Sequence, residues 1–150
     1  MSIFMKEALK EAKKAYLKNE VPIGCVIVYE GRIIARAHNQ RVEKELTHAH
    51  AEMLAIEKAN KKLGSWRLEN CDIYVTLEPC TMCAGAIMQA RMRKVSYALE
   101  DVKSGALGGS FNAYKQTFNH SVIVERGLFE SESKELIQSF FRNLRNNTTP

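Results

Sequence analysis

From Ile3 to Lys18 the apolar residues Met5, Ala8, Leu9, Ala12 and Tyr16 recur at helical spacing, with lysines and glutamates between them. That is the pattern of an amphipathic helix laid on a core. Pro22 marks its end, since proline carries no backbone N–H and clashes with a preceding helical turn. Beyond it, Ile23–Val28 and Ile33–Ala37 read as two strands joined across Glu30-Gly31, a plausible hairpin turn that makes the pair antiparallel.

Helical periodicity returns from His50 to Leu63 through Met53, Leu54, Ile56 and Ala59, and stops near Gly64. A short strand follows at Asp72–Thr76. Pro79 then introduces a second helix, Thr81–Arg91, small and apolar enough to be buried, and Val95–Ala98 resumes strand character. The rest reads as a glycine-rich loop at Gly105–Gly109, a strand at Val122–Val124, a last helix over Ser131–Arg145 and a disordered tail, Asn146–Pro150. Strands alternating with helices in one chain of 150 residues predict the α/β class. The expected architecture is a mixed sheet covered by helices on both faces, a three-layer α/β/α sandwich in one domain spanning residues 1–145.

Composition narrows the setting. With 45% hydrophobic and 26% charged residues the chain resembles ordinary soluble domains, and no apolar run approaches membrane-spanning length. No membrane partner is expected. Met1–Leu9 carries Lys6 and Glu7 and lacks the apolar centre of a secretory signal, so cytoplasmic residence is the expectation. A net charge of +5, from 22 Lys+Arg against 17 Asp+Glu, permits a polyanionic partner without requiring one. Four cysteines, Cys25, Cys71, Cys80 and Cys83, favour metal or catalytic chemistry over disulfides in a non-secreted chain of this size.

The spacing of the polar residues sharpens that chemistry. His50-Ala51-Glu52 opens one predicted helix and Pro79-Cys80-Thr81-Met82-Cys83 opens another. Two cysteines separated by two residues turn both sulfurs onto one ion at a helix N-terminus, where orphan amides and the helix dipole favour thiolate. His50, Cys80 and Cys83 supply three ligands for one zinc ion per chain, which leaves a fourth position for water, the arrangement of catalytic rather than structural sites. Glu52, around the helix from the ligand His50, is placed to take a proton from that water without binding the metal. Singly these residues read as a redox pair, a hydrogen-bonded histidine and a helix-capping glutamate. A structural Cys₃His site completed by Cys25 or Cys71 is the residue-level rival.

As H-x-E followed after a strand by P-C-x-x-C, the constellation matches the signature of zinc nucleobase deaminases. The chain resembles the cytidine deaminase superfamily and, within it, the bacterial tRNA adenosine deaminases. The likeness includes Glu20-Val21-Pro22-Ile23-Gly24, Tyr74-Val75-Thr76-Leu77-Glu78-Pro79-Cys80, Met82-Cys83-Ala84-Gly85-Ala86 and Lys103-Ser104-Gly105-Ala106. The Asp101–Ala106 loop and the Phe140-Phe141-Arg142 ending favour the tRNA enzymes over cytosine or guanine deaminases. The resemblance implies a cytidine deaminase-like fold with a five-stranded sheet, a homodimer, and conversion of the wobble adenosine of an arginine tRNA anticodon to inosine. By motif position it implies that Asn39 contacts the base and that Asp101, Lys103, Phe140 and Arg142 approach the anticodon loop. Asn39-Gln40-Arg41 stands where relatives have Asn-Arg-Pro, and Thr47-His48-Ala49-His50 where they have Pro-Thr-Ala-His. His48 therefore reads as a loop residue near the site rather than a ligand.

His38 and His120 have no metal-spaced partners and read as surface or hydrogen-bonding histidines, and Cys25 and Cys71 as small buried residues. Trp66 reads as core or interface packing rather than a base-stacking platform. Arg91-Met92-Arg93-Lys94 reads equally as a phosphate-binding patch and as a solvated helix end. Two other functions stay open: deamination of a free base, and a non-catalytic zinc-stabilised RNA-binding module. Glu52 speaks against the second, because structural zinc needs no proton carrier.

Overall fold

In a computed structural model that describes residues 2–115 and 120–148, helix α1 (Ser2–Leu17) leads into the hairpin β1 (Gly24–Tyr29) and β2 (Arg32–His38). One turn of helix, α2 (Arg41–Lys44), precedes α3 (Ala51–Leu63). There follow β3 (Cys71–Leu77), α4 (Thr81–Gln89), β4 (Lys94–Leu99), a 3₁₀ turn at Ala113–Lys115, β5 (Ile123–Arg126) and α5 (Glu130–Thr148). The strands form one mixed sheet in the order β2-β1-β3-β4-β5. β1 is antiparallel to β2 and β3, whereas β3, β4 and β5 run parallel. This is the five-stranded sandwich the sequence led us to expect.

Residue parity on the central strands creates the layers. Cys25 and Ile27 of β1, Ile73 and Val75 of β3, and Val95 and Tyr97 of β4 face a core shared with α3 and α4. Their neighbours Val26, Val28, Tyr74 and Ala98 face a second core, against Met5 and Ala8 of α1. Strands buried on both faces cannot alternate apolar with polar, which is why they read as continuous apolar runs. Each fully buried Ile, Val or Met contributes about 1.5–3 kcal/mol. β2 and β5 are the sheet's edges, with Arg36 and Glu125 exposed.

Local turn chemistry follows the sequence closely. Glu30 and Gly31, at φ 52° and 75°, make the tight hairpin turn, since a two-residue loop of this hand needs positive φ at both positions. Gly64, at φ 64°, closes α3. Gly24 is required for another reason: a Cβ there would lie 2.2 Å from the Ala8 carbonyl oxygen and 2.3 Å from the Ala12 nitrogen. The backbone of α1 therefore rests directly on β1.

Some elements depart from expectation. α2 lacks an apolar face, its Val42 being exposed, so hydrophobic spacing carries no sign of it. α5 runs through Asn146 and Asn147 to Thr148, where a disordered tail was expected; Thr149 and Pro150 lie outside the described residues. Among the described residues, no helix is long and apolar enough to cross a membrane.

Candidate active site

His50 and Cys80 occupy equivalent places, each the N-cap of the helix that follows it, α3 and α4. Both have extended backbones, at φ −77° and ψ 152° for His50 and φ −75° and ψ 179° for Cys80. Their carbonyls accept the first helical hydrogen bonds, from the Leu54 and Ala84 amides, while neither side chain caps its helix. Both side chains are thus free to face one another. Cys83, in the first turn of α4, turns its sulfur to the same point.

His50 Nδ1 lies 3.7 Å from Cys80 Sγ and 3.5 Å from Cys83 Sγ, and the three ligand atoms all fall within 4.8 Å of one another. Nitrogen and sulfur on a tetrahedral zinc ion, at about 2.05 and 2.3 Å from the metal, stand roughly 3.6 Å apart. Both nitrogen–sulfur distances therefore suit a zinc ion, and three protein ligands would leave a fourth position for water. This is the only such group among the described residues. The Cys₃His alternative fails on position. Cys25 is buried and directs its thiol to the Ala51 carbonyl, and Cys71 is buried at the opposite end of β3 from the metal group. His48 is exposed and outside the cluster.

The electrostatics suit a cation. The hydrogen bond from the Cys83 thiol, with help from His50, pulls Cys80 down to about 3, while the Cys83 thiol, as donor to that thiolate and buried besides, is pushed far up. The Cys80 sulfur in turn raises His50. Two helix N-termini converge here, and their unpaired amides reinforce thiolate character. Glu52, in the first turn of α3, is 4% exposed. Burial pushes its carboxyl up to about 7, the range in which a carboxyl both accepts and releases a proton near neutrality.

The residues expected to meet a substrate fare unevenly. Asn39, at the end of β2, is 6% exposed; its Nδ2 donates to the Val21 carbonyl and its Oδ1 accepts from the Arg41 amide, both at 3.3 Å. One Nδ2 hydrogen stays uncommitted by these bonds. Val21 in turn lines a groove of ≈ 470 Å³ with Leu77, Leu99, Asp101, Lys103 and Phe141. Asp101 Oδ1 accepts from the Lys103 and Ser104 amides, so this carboxylate shapes its own loop. Phe140 lies in the packing of α5. It is buried, edge-on to Tyr16 at 5.8 Å and to Phe141 at 5.3 Å, because consecutive helical residues point about 100° apart and Phe140 is the one α5 turns onto α1. Phe141 faces the groove. Arg142 is exposed and paired with Glu135, outside the groove.

Two buried glutamates were not singled out from the sequence. Glu20, 2% exposed, accepts from the Val42 and Glu43 amides and anchors α2 beside Asn39. Glu78, 3% exposed, sits between β3 and Cys80. An acidic residue directly against an apolar strand or a Val-Pro stop was the available signal. In the Arg91–Lys94 stretch, Arg91 donates to the Met88 and Gln89 carbonyls at the end of α4, in keeping with a helix end, while Met92 is buried, Arg93 forms a two-pronged pair with Asp72, and buried Lys94 pairs with Asp72 and Glu125. Trp66 is 59% exposed, which removes the core reading, and the Arg67 and Arg91 guanidinium groups lie 4.8 and 5.9 Å from its ring centre. His38 faces Glu11 and His120 binds the Met92 carbonyl, as ordinary hydrogen-bonding histidines.

The chain is similar to known proteins along nearly its whole length. A family model described as MafB19-like deaminase matches residues 1–145. The chain is 51% identical over 144 residues to the tRNA-specific adenosine deaminase of Bacillus subtilis (strain 168), covering 95% of this chain and 89% of the relative. It is 48% identical over 145 residues to the tRNA-specific adenosine deaminase of Aquifex aeolicus (strain VF5), covering 96% and 95%. A solved structure from a study of A-to-I editing by tRNA:A34 deaminases at the wobble position superposes with a TM-score of 0.86 at 46% identity, over 91% of this chain and 99% of that one. A guanine deaminase from Nitrosomonas europaea shares the fold at TM-score 0.78 and 23% identity, over 93% of this chain and 83% of that one.

Proposed function

Because this chain belongs to the MafB19-like deaminases, and among them to the tRNA-specific adenosine deaminases, we propose that it hydrolyses the wobble adenosine of a tRNA anticodon to inosine and ammonia. The observation that carries the chemistry is the His50, Cys80 and Cys83 cluster with Glu52 buried beside it. His50, Cys80 and Cys83 would hold one zinc ion per chain. When bound, the ion supplies a Lewis acid that makes water nucleophilic near neutral pH.

The chain's own residues supply the rest. The Glu52 carboxylate takes one proton from water and delivers it to the purine ring nitrogen as the oxygen adds at C6, then takes the second proton from the added hydroxyl and delivers it to the leaving nitrogen, so that the C–N bond breaks and ammonia departs. Its burial keeps this proton from bulk water. Asn39, held by its bonds to Val21 and Arg41, offers an N–H to the extruded base. Lys103, exposed on the groove's rim, meets phosphate, and Arg142 would have to leave Glu135 to do so. A loop nucleotide suits such a buried site because it costs less to unstack than a paired one.

Finer features belong to the same reading. The tRNA is an arginine tRNA, the enzyme works in the cytoplasm, and it acts as a homodimer. Support for the dimer is the outer face of α4, where Gly85 and Ala86 are partly exposed and a Cβ on Gly85 would meet nothing within 4 Å. Such a flat, small-residue surface allows close approach of a second copy; sedimentation showing only monomer at micromolar concentration would contradict it.

The deciding experiment incubates purified protein with an anticodon stem-loop and, separately, with guanine and cytosine, and assays inosine and ammonia. Inosine in the stem-loop is the expected result. Turnover of a free base with the stem-loop untouched would overturn the substrate while leaving the chemistry standing.

A further inference from the structure

The loop that follows β4 has no regular structure of its own between Glu100 and Phe111 apart from a single bridge, Leu107 to Asn112. It is nevertheless closed by one side chain. Glu78 Oε1 accepts from the Asp101 amide at 3.0 Å, and Oε2 accepts from the Leu107 and Gly109 amides, both at 2.8 Å. The carboxylate thus ties the first and last turns of the loop together. Its approach demands glycine: a Cβ on Gly105 would lie 2.3 Å from Glu78 Cδ, and one on Gly109 2.3 Å from Oε1. Gly105 also donates to the Asp101 carbonyl, and Ala106 to the Pro79 carbonyl, at 2.8 and 2.9 Å.

Glu78 is itself fixed, its amide bonded to the Leu99 carbonyl at 2.9 Å, and Pro79 and Cys80 follow it directly. The same carboxylate therefore joins the strand that leads to a metal ligand with the loop that carries Asp101 and Lys103 along the groove wall. Charge-assisted bonds from main-chain donors to a buried carboxylate are among the stronger local restraints in a protein, and here they add to the loop's own main-chain bonds, from the Ser110 and Phe111 amides to the Gly105 carbonyl and from the Gly108 amide to the Phe111 carbonyl.

We propose that Glu78 is a positioning residue for RNA recognition, holding the Asp101–Gly109 loop in register with the zinc site so that the groove is formed before the anticodon arrives. The proposal rests on the deaminase reading above. Removing the carboxylate loosens the loop without touching the metal ligands or Glu52, so the effect falls on binding and not on the chemical step.

Glu78→Gln tests it in the full chain. The amide keeps the shape but turns an N–H₂ toward main-chain donors. In wild type the Asp101, Leu107 and Gly109 amides should resist hydrogen exchange. In Glu78→Gln they should exchange about tenfold faster, and the KM for an anticodon stem-loop should rise by about tenfold while kcat stays within about threefold and zinc content is unchanged. Rapid exchange of these amides in wild type overturns the proposal. So does unchanged exchange in the variant, or a wild-type KM accompanied by loss of zinc or kcat, which general loss of fold would produce. Should Glu78→Gln not fold, Gly105→Ala pushes a methyl against the same carboxylate and should raise KM likewise; a folded Gly105→Ala with wild-type KM overturns the proposal. If wild type leaves the stem-loop untouched, the substrate reading fails, and the exchange of the three amides alone decides whether Glu78 clamps the loop.

Discussion

Cys83 Sγ lies 3.5 Å from His50 Nδ1, although 33 positions separate the two residues in the chain. The contact exists because α3 and α4 begin at the same end of the sheet on the same face, one after the β2 edge and the other after β3. That contact is close to the nitrogen–sulfur edge of a tetrahedral zinc site, roughly 3.6 Å.

Loss of any ligand should empty the site. Cys83→Ala, Cys80→Ala and His50→Ala are each expected to purify without zinc by elemental analysis. Chelation of the wild type should lower its unfolding midpoint, since an ion present at a thousandfold excess over its Kd stabilises the native state by about 4 kcal/mol. Full zinc retention in Cys83→Ala would reassign the ligands.

Glu52→Ala separates proton transfer from coordination. It should keep one zinc per chain and the fold, while deamination falls by about 10²- to 10⁴-fold. Activity within a few fold of wild type would remove Glu52 from the mechanism.

Gly24→Ala tests the seat of α1 on the sheet. The added Cβ meets main-chain atoms of Ala8 and Ala12, which have no side-chain freedom with which to yield. Denaturant unfolding should show a loss of about 2 kcal/mol or more, and a neutral result would mean that α1 shifts freely on β1.

The RNA surface is expected to be the groove and not the Arg91–Lys94 stretch. Lys103→Ala should weaken stem-loop binding and flatten its dependence on salt by about one counterion, whereas Asn39→Ala should depress deamination more than binding. Arg93→Ala, removing a guanidinium already paired with Asp72, should leave the salt slope unchanged. A flattened slope in Arg93→Ala would restore the phosphate reading of that stretch.

Lys94→Ala should act on stability instead. The ammonium is buried, paired with Asp72 and Glu125 and 5.3 Å from the centre of the Tyr74 ring. Its removal should cost about 2 kcal/mol in chemical unfolding, with deamination of the folded protein unaltered.

Much of this protein is determined by residue order alone, because the forces concerned are local. Helical spacing in α1 and α3, the two apolar faces of β1, β3 and β4, the positive-φ pair at Glu30-Gly31, and the H-x-E and P-C-x-x-C segments at helix starts all act over a few residues. Tertiary structure decided what depends on residues distant in the chain. Cys25 and Cys71 are as cysteine-like in sequence as Cys80 and Cys83, but the strand crossings direct one thiol to a carbonyl and leave the other at the far end of β3. Phe140 and Phe141 are adjacent and identical, and only the docking of α5 on α1 buries the first and turns the second to the groove. Lys94 became a core ion pair because Asp72 and Glu125 stand on the strands to either side of it. Glu78 became the anchor of a loop for the same reason: three amides more than twenty positions away fold back onto its carboxylate, and no spacing rule along the chain encodes a partner that only the folded sheet brings near.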